Sequence, residues 1–333
     1  MVDGDFTAKR LKVLVVGCGS IGKRHARLWG ERTEAEVWVC DSLQSNLQAA
    51  IAEAPGAQPF SSYDDALFAG PDAVWVCTPN HLHRPMAEAA LETGCDVLCE
   101  KPLADTVDNA EALAAKAAAS GRFFAVGYTM RSHAGMRRVL EVAQSGVLGT
   151  LVGGRAMVGT YFTLMCATTP YRFQEENALI IDYTHLLDYL RLFFGDLERV
   201  SAESTTLGEV EMKPKPNMFS LLMRYRSGAL VQCHMDYIQH PQRHTLELYG
   251  DRGVLTCDFQ TGEMRLYDRD KPGYEVEHVI VARDDIYRVQ IGEFLRGLRG
   301  EPTALATAED GVAALRAAAA AVEAATTRSA VRA

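Results

Sequence analysis

LKVLVVGCGSIG, residues 11–22, decides the fold. LKVLVV (11–16) is a continuous apolar, β-branched run, the pattern of a strand buried on both faces. Gly17-Cys18-Gly19-Ser20-Ile21-Gly22 follows as G-x-G-x-x-G and opens a helical stretch from Ser20 to about Gly30. That order of strand, tight turn and helix is the context in which the glycines matter: they permit the turn and let backbone N–H groups reach a pyrophosphate at a helix N-terminus. Further strands are expected at EVWVCD (36–41), DAVWVC (72–77), DVLC (96–99) and RFFAVG (122–127), with helices over about 45–54, 84–92 and 106–120 between them. Strands separated by helices of that length imply right-handed βαβ units and a parallel sheet, hence a doubly wound Rossmann domain.

Asp41 lies at the end of the second strand, past the glycine turn. A carboxylate there accepts hydrogen bonds from ribose hydroxyls and repels a 2′-phosphate. The expected cofactor is NAD, with NADP left open by Lys23, Arg24 and Ser42.

After about residue 150 the rhythm changes. Residues 220–238, 243–259 and 264–270 read as strands joined by short turns at Ser227-Gly228, Gly250-Asp251-Arg252-Gly253 and Thr261-Gly262. Helices are expected near 182–194, 284–299 and 307–325. The expectation is therefore an α/β Rossmann domain over 1–130 and an α+β domain with an open, mostly antiparallel mixed sheet over 131–333, its C-terminal helix free to pack back at the junction. A length of 333 residues suits two cores better than one.

A net charge of −9 argues against a nucleic-acid partner, which would meet a basic face. No run of about 18 apolar residues is long enough to span a bilayer, and the polar start MVDGDFTAKR does not resemble a secretory segment. The 8 cysteines include no C-x-x-C pair and mostly sit in apolar runs. They read as reduced core thiols of a cytoplasmic protein. His81 and His83 have no further ligands at zinc-like spacing, so no metal is expected.

Thr78-Pro79-Asn80-His81-Leu82-His83, followed after a helix by Glu100-Lys101-Pro102-Leu103-Ala104, resembles the TPN-x-x-H and EKP-L-A motifs of the Gfo/Idh/MocA oxidoreductases. Similarity continues through Gly127-Tyr128-Thr129-Met130-Arg131, Gly146-Val147-Leu148-Gly149 and Asp182-Tyr183-Thr184-His185-Leu186-Leu187-Asp188 to Asp310-Gly311. The resemblance implies a Rossmann domain and a larger open sheet, with substrate on one face of that sheet and homodimer or homotetramer contacts on the other. It puts the Lys101-Pro102 step at the nicotinamide, often as a cis proline. It implies that the cofactor is bound by Gly17, Gly19, Ser20, Ile21, Gly22, Asp41, Ser42, Thr78, Pro79, Asn80, His83, Glu100, Lys101 and Thr129.

Interconverting a secondary alcohol and a ketone needs a hydride acceptor and a group that moves the hydroxyl proton. Lys101, just past a strand's C-terminal end, is placed to stabilise developing alkoxide charge. His185 matches the resemblance's acid/base position. Asp182, three residues earlier, falls on the same face of one expected helix, where it orients the imidazole, binds a substrate hydroxyl or caps the helix. Many relatives space this Asp and His by four residues and precede the helix with Gly-Gly, where this chain has Asn177-Ala178. Asp188 is read as structural. Lys101, Arg172, Asp182 and His185 are the expected substrate contacts. The 240–244 turn is a weaker one. The substrate class expected is a sugar, nucleotide sugar or cyclitol. A glycosidase of the same fold that uses NAD transiently, and a non-catalytic dinucleotide sensor, remain as alternatives.

Overall fold

The computed structural model describes residues 10–161, 176–210, 215–328 and 331–332. The chain divides into two compact units: Met1–Gly127 with Gln290–Glu309, and Tyr128–Val289 with Asp310–Ala333.

The first unit runs β1 (Leu11–Val16), α1 (Ser20–Gly30), β2 (Ala35–Cys40), α2 (Gln44–Glu53), β3 (Gln58–Phe60), α3 (Tyr63–Phe68), β4 (Ala73–Val76), α4 (Asn80–Glu92), β5 (Asp96–Cys99), α5 (Val107–Ser120) and β6 (Phe124–Val126). All six strands are parallel, in the order β3-β2-β1-β4-β5-β6. Val13, Leu14 and Val15 in β1, and Ala73 to Val76 in β4, are sealed from solvent on both faces, which is why these strands read as unbroken apolar runs. Thr106 starts α5 by accepting the Asn109 N–H, and Gly121, at φ +65°, ends it. The expected strands and helices all form. The short β3 and α3 escaped the reading because three residues around Pro59 carry too little periodicity to stand out.

The sequence reading assigned 131–333 wholly to the second domain, whereas Gln290–Glu309 belongs to the first unit. Phe294 is fully buried there, with ring centroids 5.5 Å from Trp75 and 5.3 Å from Phe123. Gly297 gives Phe123 its space, and Val126 N–H donates to Ala306 O at 2.8 Å. Aromatic burial thus draws a distant segment into this core.

The second unit begins with a 3-10 turn, Thr129–Ser132, and α6 (Ala134–Gln144). Its sheet is built from β7 (Leu151–Gly159), β8 (Leu197–Thr205), β9 (Met218–Tyr225), β10 (Leu230–Asp236), β11 (Arg243–Gly250), β12 (Gly253–Asp258), β13 (Glu263–Asp268), β14 (Tyr274–His278) and β15 (Val331–Arg332). The order is β14-β13-β12-β11-β7-β10-β9-β8-β15, antiparallel except for β7 beside β10. Side chains alternate cleanly. Phe219, Leu221, Met223 and Tyr225 of β9 are buried, while Ser220 and Leu222 face out. On the buried side lie α7 (Ala178–Asp182) and α8 (Thr184–Phe194), with Phe194 5.3 Å from Tyr225 and admitted by Gly154. The long α9 (Arg283–Leu298) and α10 (Ala308–Thr327) carry the chain between the units.

The single helix expected over 182–194 is two. Tyr183 leaves helical geometry at φ −100°, ψ 23°, and Thr184 Oγ1 donates back to Ile181 O at 3.1 Å. A β-branched hydroxyl that bonds the preceding turn competes with continuous helix. Asn177 sits in the left-handed region at φ +62°, which asparagine tolerates better than most side chains.

Candidate active site

The glycine turn of the first unit is built for close approach. Gly17 has φ +89°, and a Cβ on it would lie 2.7 Å from the Cys77 carbonyl carbon. A Cβ on Gly22 would lie 1.8 Å from Gly17 O, so no side chain fits where α1 crosses the turn. Gly19, the N-cap, is different: a Cβ there would meet nothing within 4 Å. No side chain caps α1 and its first turn holds no acid, so its amides and partial positive charge face outward beside exposed Ser20 and half-buried Ile21.

Asp41 closes this cradle. Its carboxylate accepts from Cys18 N at 2.7 Å, Leu43 N at 2.8 Å and Asn46 Nδ2 at 3.2 Å, next to exposed Ser42. Two carboxylate oxygens carry about four acceptor sites, so capacity for ribose hydroxyls remains. Lys23, one of the residues that left NADP open, lies 3.5 Å from Glu53 as an ion pair. Open amides followed by an oriented carboxylate fit a dinucleotide whose ribose is unphosphorylated.

Thr78, Pro79 and Asn80 follow β4, with Pro79 as the N-cap of α4. One turn on, His83 is 1% exposed. Its Nε2 lies 2.8 Å from Thr78 O and its Nδ1 2.7 Å from Pro102 O. Burial pushes its pKa below the ordinary value, while the two carbonyls, both acceptors, pull the other way. His83 therefore ties the Thr78 loop to the Lys101-Pro102 loop. Glu100 is also spent internally: Oε1 lies 2.9 Å from His25 Nε2 of α1, and Oε2 accepts the Lys101 N–H at 3.3 Å. Gly127 makes room for this carboxylate, since a Cβ there would sit 2.9 Å from it. Lys101 itself is half-buried, at the C-terminal end of β5, and its bond to Pro102 is cis.

In the second unit, Asp182 ends α7 and its Oδ2 accepts the Tyr237 hydroxyl at 2.6 Å. His185 is the second residue of α8, its ring 5.5 Å from that of Tyr128 at 81°. Two expectations change here. Asp182 and His185 do not share the face of one helix, because the break at Tyr183 separates them. Nor does Asp182 cap α8, whose N-cap is Tyr183.

Asp188 is buried and bound bidentately by Arg131, at 2.9 and 2.6 Å. Burial raises its carboxyl to about 6 against the pull of Arg131. Thr129 falls in the second unit, as the first residue of the 3-10 turn. Arg172 lies outside the described residues. In the 240–244 segment, Gln242 bonds Gln260 and receives Thr160 Oγ1 at 3.4 Å, whereas His244 belongs to β11 and stacks on Tyr189.

Sequence reading missed Tyr128, Arg131, Tyr237 and His25. Each meets its partner across 55 to 75 residues of chain, a distance no local pattern reveals. The seven described cysteines are free and buried. Among the described residues no helix is long and apolar enough to cross a membrane, and no three His, Cys, Asp or Glu cluster as metal ligands.

A parallel sheet of this order, with a glycine-rich turn where the strand order reverses, defines a dinucleotide-binding protein. Residues 11–128 match the Gfo/Idh/MocA oxidoreductases, NAD-binding Rossmann fold, and 174–332 match their C-terminal alpha/beta domain. The chain belongs to that family and is an NAD-dependent dehydrogenase or reductase. An inositol 2-dehydrogenase of Corynebacterium glutamicum is 33% identical over 276 residues, covering 78% of this chain and 77% of that protein. A D-apiose dehydrogenase of Paraburkholderia graminis is 27% identical over 266 residues, covering 78% and 68%. An NAD binding oxidoreductase from Klebsiella pneumoniae superposes with a TM-score of 0.87 at 19% identity, covering 97% and 99%. A levoglucosan dehydrogenase in complex with NADH and levoglucosan gives 0.86 at 19%, covering 97% and 99%. These two structures share the fold.

Proposed function

We propose that this enzyme interconverts a ring secondary alcohol and ketone of a sugar, nucleotide sugar or cyclitol. The observation that carries the reading is the double tie of His83, which holds the Lys101-Pro102 loop against the Thr78 turn at the C-terminal edge of the sheet. A lysine fixed there serves reaction better than simple cofactor retention, because its ammonium can donate to the reacting oxygen and stabilise alkoxide charge. The names of relatives agree in chemistry: inositol, apiose and levoglucosan all carry ring or chain secondary hydroxyls.

Bound NAD supplies the hydride acceptor. Lys101 holds the substrate oxygen. His185 takes the hydroxyl proton in oxidation and returns it in reduction, the general acid–base role an imidazole can fill. Asp182, oriented by the Tyr237 hydroxyl, accepts from a neighbouring substrate hydroxyl or from His185. The outer face of the second-unit sheet exposes Leu222 and Leu230 beside a hollow of about 560 Å³, which supports a homodimer or homotetramer built on that face.

NADH absorbance measured across inositols, sugars, sugar phosphates and nucleotide sugars tests the reading. Net NADH formation with a polyol is the expected result. Glycoside cleavage without net NADH would replace it with the transient-NAD hydrolase.

A further inference from the structure

Two contacts, each three residues from the other, tie the 3-10 turn Thr129–Ser132 to α8. Tyr128, just before the turn, sets its ring against that of His185. Arg131, whose N–H donates to Tyr128 O at 3.1 Å, places a planar fork on Asp188. The third nitrogen of the same guanidinium lies 2.9 Å from Asp310 Oδ2 in α10. Arg191, three residues past Asp188 on α8, holds the other Asp310 oxygen at 2.5 Å. Turn, α8 and α10 therefore converge on one buried arginine.

The leucines of α8 are already buried: Leu186, Leu187 and Leu190 are at most 3% exposed. Burying Arg131 and Asp188 beside them adds little net stability compared with apolar packing. It adds geometry. A bidentate fork has one acceptable register, whereas leucine packing tolerates small slides and rotations. The register it selects is the one that sets Tyr128 against His185.

We propose that Arg131 and Asp188 are positioning residues for His185, fixing the pose of its imidazole through the turn and setting its proton affinity through their charges. The proposal rests on His185 being the proton-transfer group. Among the described residues, the charged and titratable groups around this stretch include Tyr128 before the turn, Arg131 in it, Asp182 from α7, Tyr183 between α7 and α8, Asp188, Tyr189 and Arg191 from α8, Tyr237 after β10 and Asp310 from α10.

The test is ring NMR of His185 in histidine-labelled full-length protein, assigned with His185→Asn, so that no substrate is needed. Asp188→Asn leaves Arg131 less compensated, and the His185 titration midpoint moves to lower pH. Arg131→Met does the opposite and moves it up. Each displacement is about half a pH unit or more, the scale expected of a partly screened charge nearby.

Arg131→Met with Asp188→Leu replaces the pair by apolar groups and guards against simple unfolding. Its melting temperature recovers, yet the ring-proton shifts of His185 caused by Tyr128 stay displaced. NADH binding in the first unit is unchanged in all variants. Unmoved midpoints, shifts of the same sign in both single variants, or wild-type ring shifts in the double variant would overturn the proposal. Loss of the underlying reading looks different: His185→Asn would retain full NADH formation with a polyol.

Discussion

The imidazole of His83 spans the carbonyls of Thr78 and Pro102, at 2.8 and 2.7 Å, from the first turn of α4. Two motifs nineteen residues apart are thus one structural piece. His83→Ala removes the imidazole that meets both carbonyls, and a buried carbonyl left without its donor costs about 1–3 kcal/mol. The urea midpoint should fall accordingly. Affinity for NADH, followed by fluorescence, should weaken as well, since both loops border the cofactor cradle. Unchanged NADH affinity in a destabilised variant would reduce His83 to a purely structural tie.

Lys101 is the sharpest test of the chemistry. Lys101→Ala removes the proposed donor to the reacting oxygen, and turnover should fall by about 10²–10³, the usual effect of deleting one such donor. NADH affinity should hold, because the glycine turn and Asp41 are untouched. A variant that turns over at full rate would contradict the assignment.

Why were the side-chain partners of the first unit's site so readable and those of the second so little, when the mixed sheet of the second was itself legible? The Rossmann half is made of short-range units: β1, its glycines and Asp41 are linked through backbone geometry within some thirty residues, and G-x-G-x-x-G records that geometry directly. The place of Lys101 in the fold was legible for the same reason, since it follows a clear strand. The pairing of Asp182 with Tyr237, and of Arg131 with Asp188 and Asp310, depends on which strands and helices the sheet brings together. No periodicity encodes such a partner. The helix break at Tyr183 was hidden because apolar spacing runs straight through it, while the decisive interaction is one threonine hydroxyl.

Asp41 should decide between NAD and NADP. Asp41→Asn keeps an acceptor for one of the two amides, Cys18 N or Leu43 N, which in the wild type use different carboxylate oxygens, and it removes the negative charge that repels a 2′-phosphate. The ratio of kcat/KM for NADP over NAD should rise by about tenfold, the equivalent of about 1.4 kcal/mol. An unchanged ratio would mean that the cradle's shape, and not the Asp41 charge, excludes the phosphate.

Stability should fall in mild acid because of two histidines, His133 buried and His244 half-buried. His133 and His244 flank Phe259, with ring centroids at 5.4 and 4.9 Å. Burial pushes both down to about 4, and for His244 the neighbouring His133 adds to the effect. The geometry agrees: His133 Nδ1 accepts the Gly135 N–H at 3.1 Å as the cap of α6, a role that needs an unprotonated nitrogen and sits where the helix dipole opposes a cation. In the unfolded chain both rings titrate near the ordinary 6.5. Above that pH neither state binds the protons, and stability is full. Between about 6.5 and 4 only the unfolded chain takes them up, so stability drops by at most about 1.4 kcal/mol per pH unit for each ring. Below about 4 the folded protein protonates too and this loss levels off. Urea midpoints measured from pH 7.5 downward should show the decline, and His244→Gln, which removes one proton site, should make it shallower. An acid limb of the same slope in that variant would place the sensitivity elsewhere.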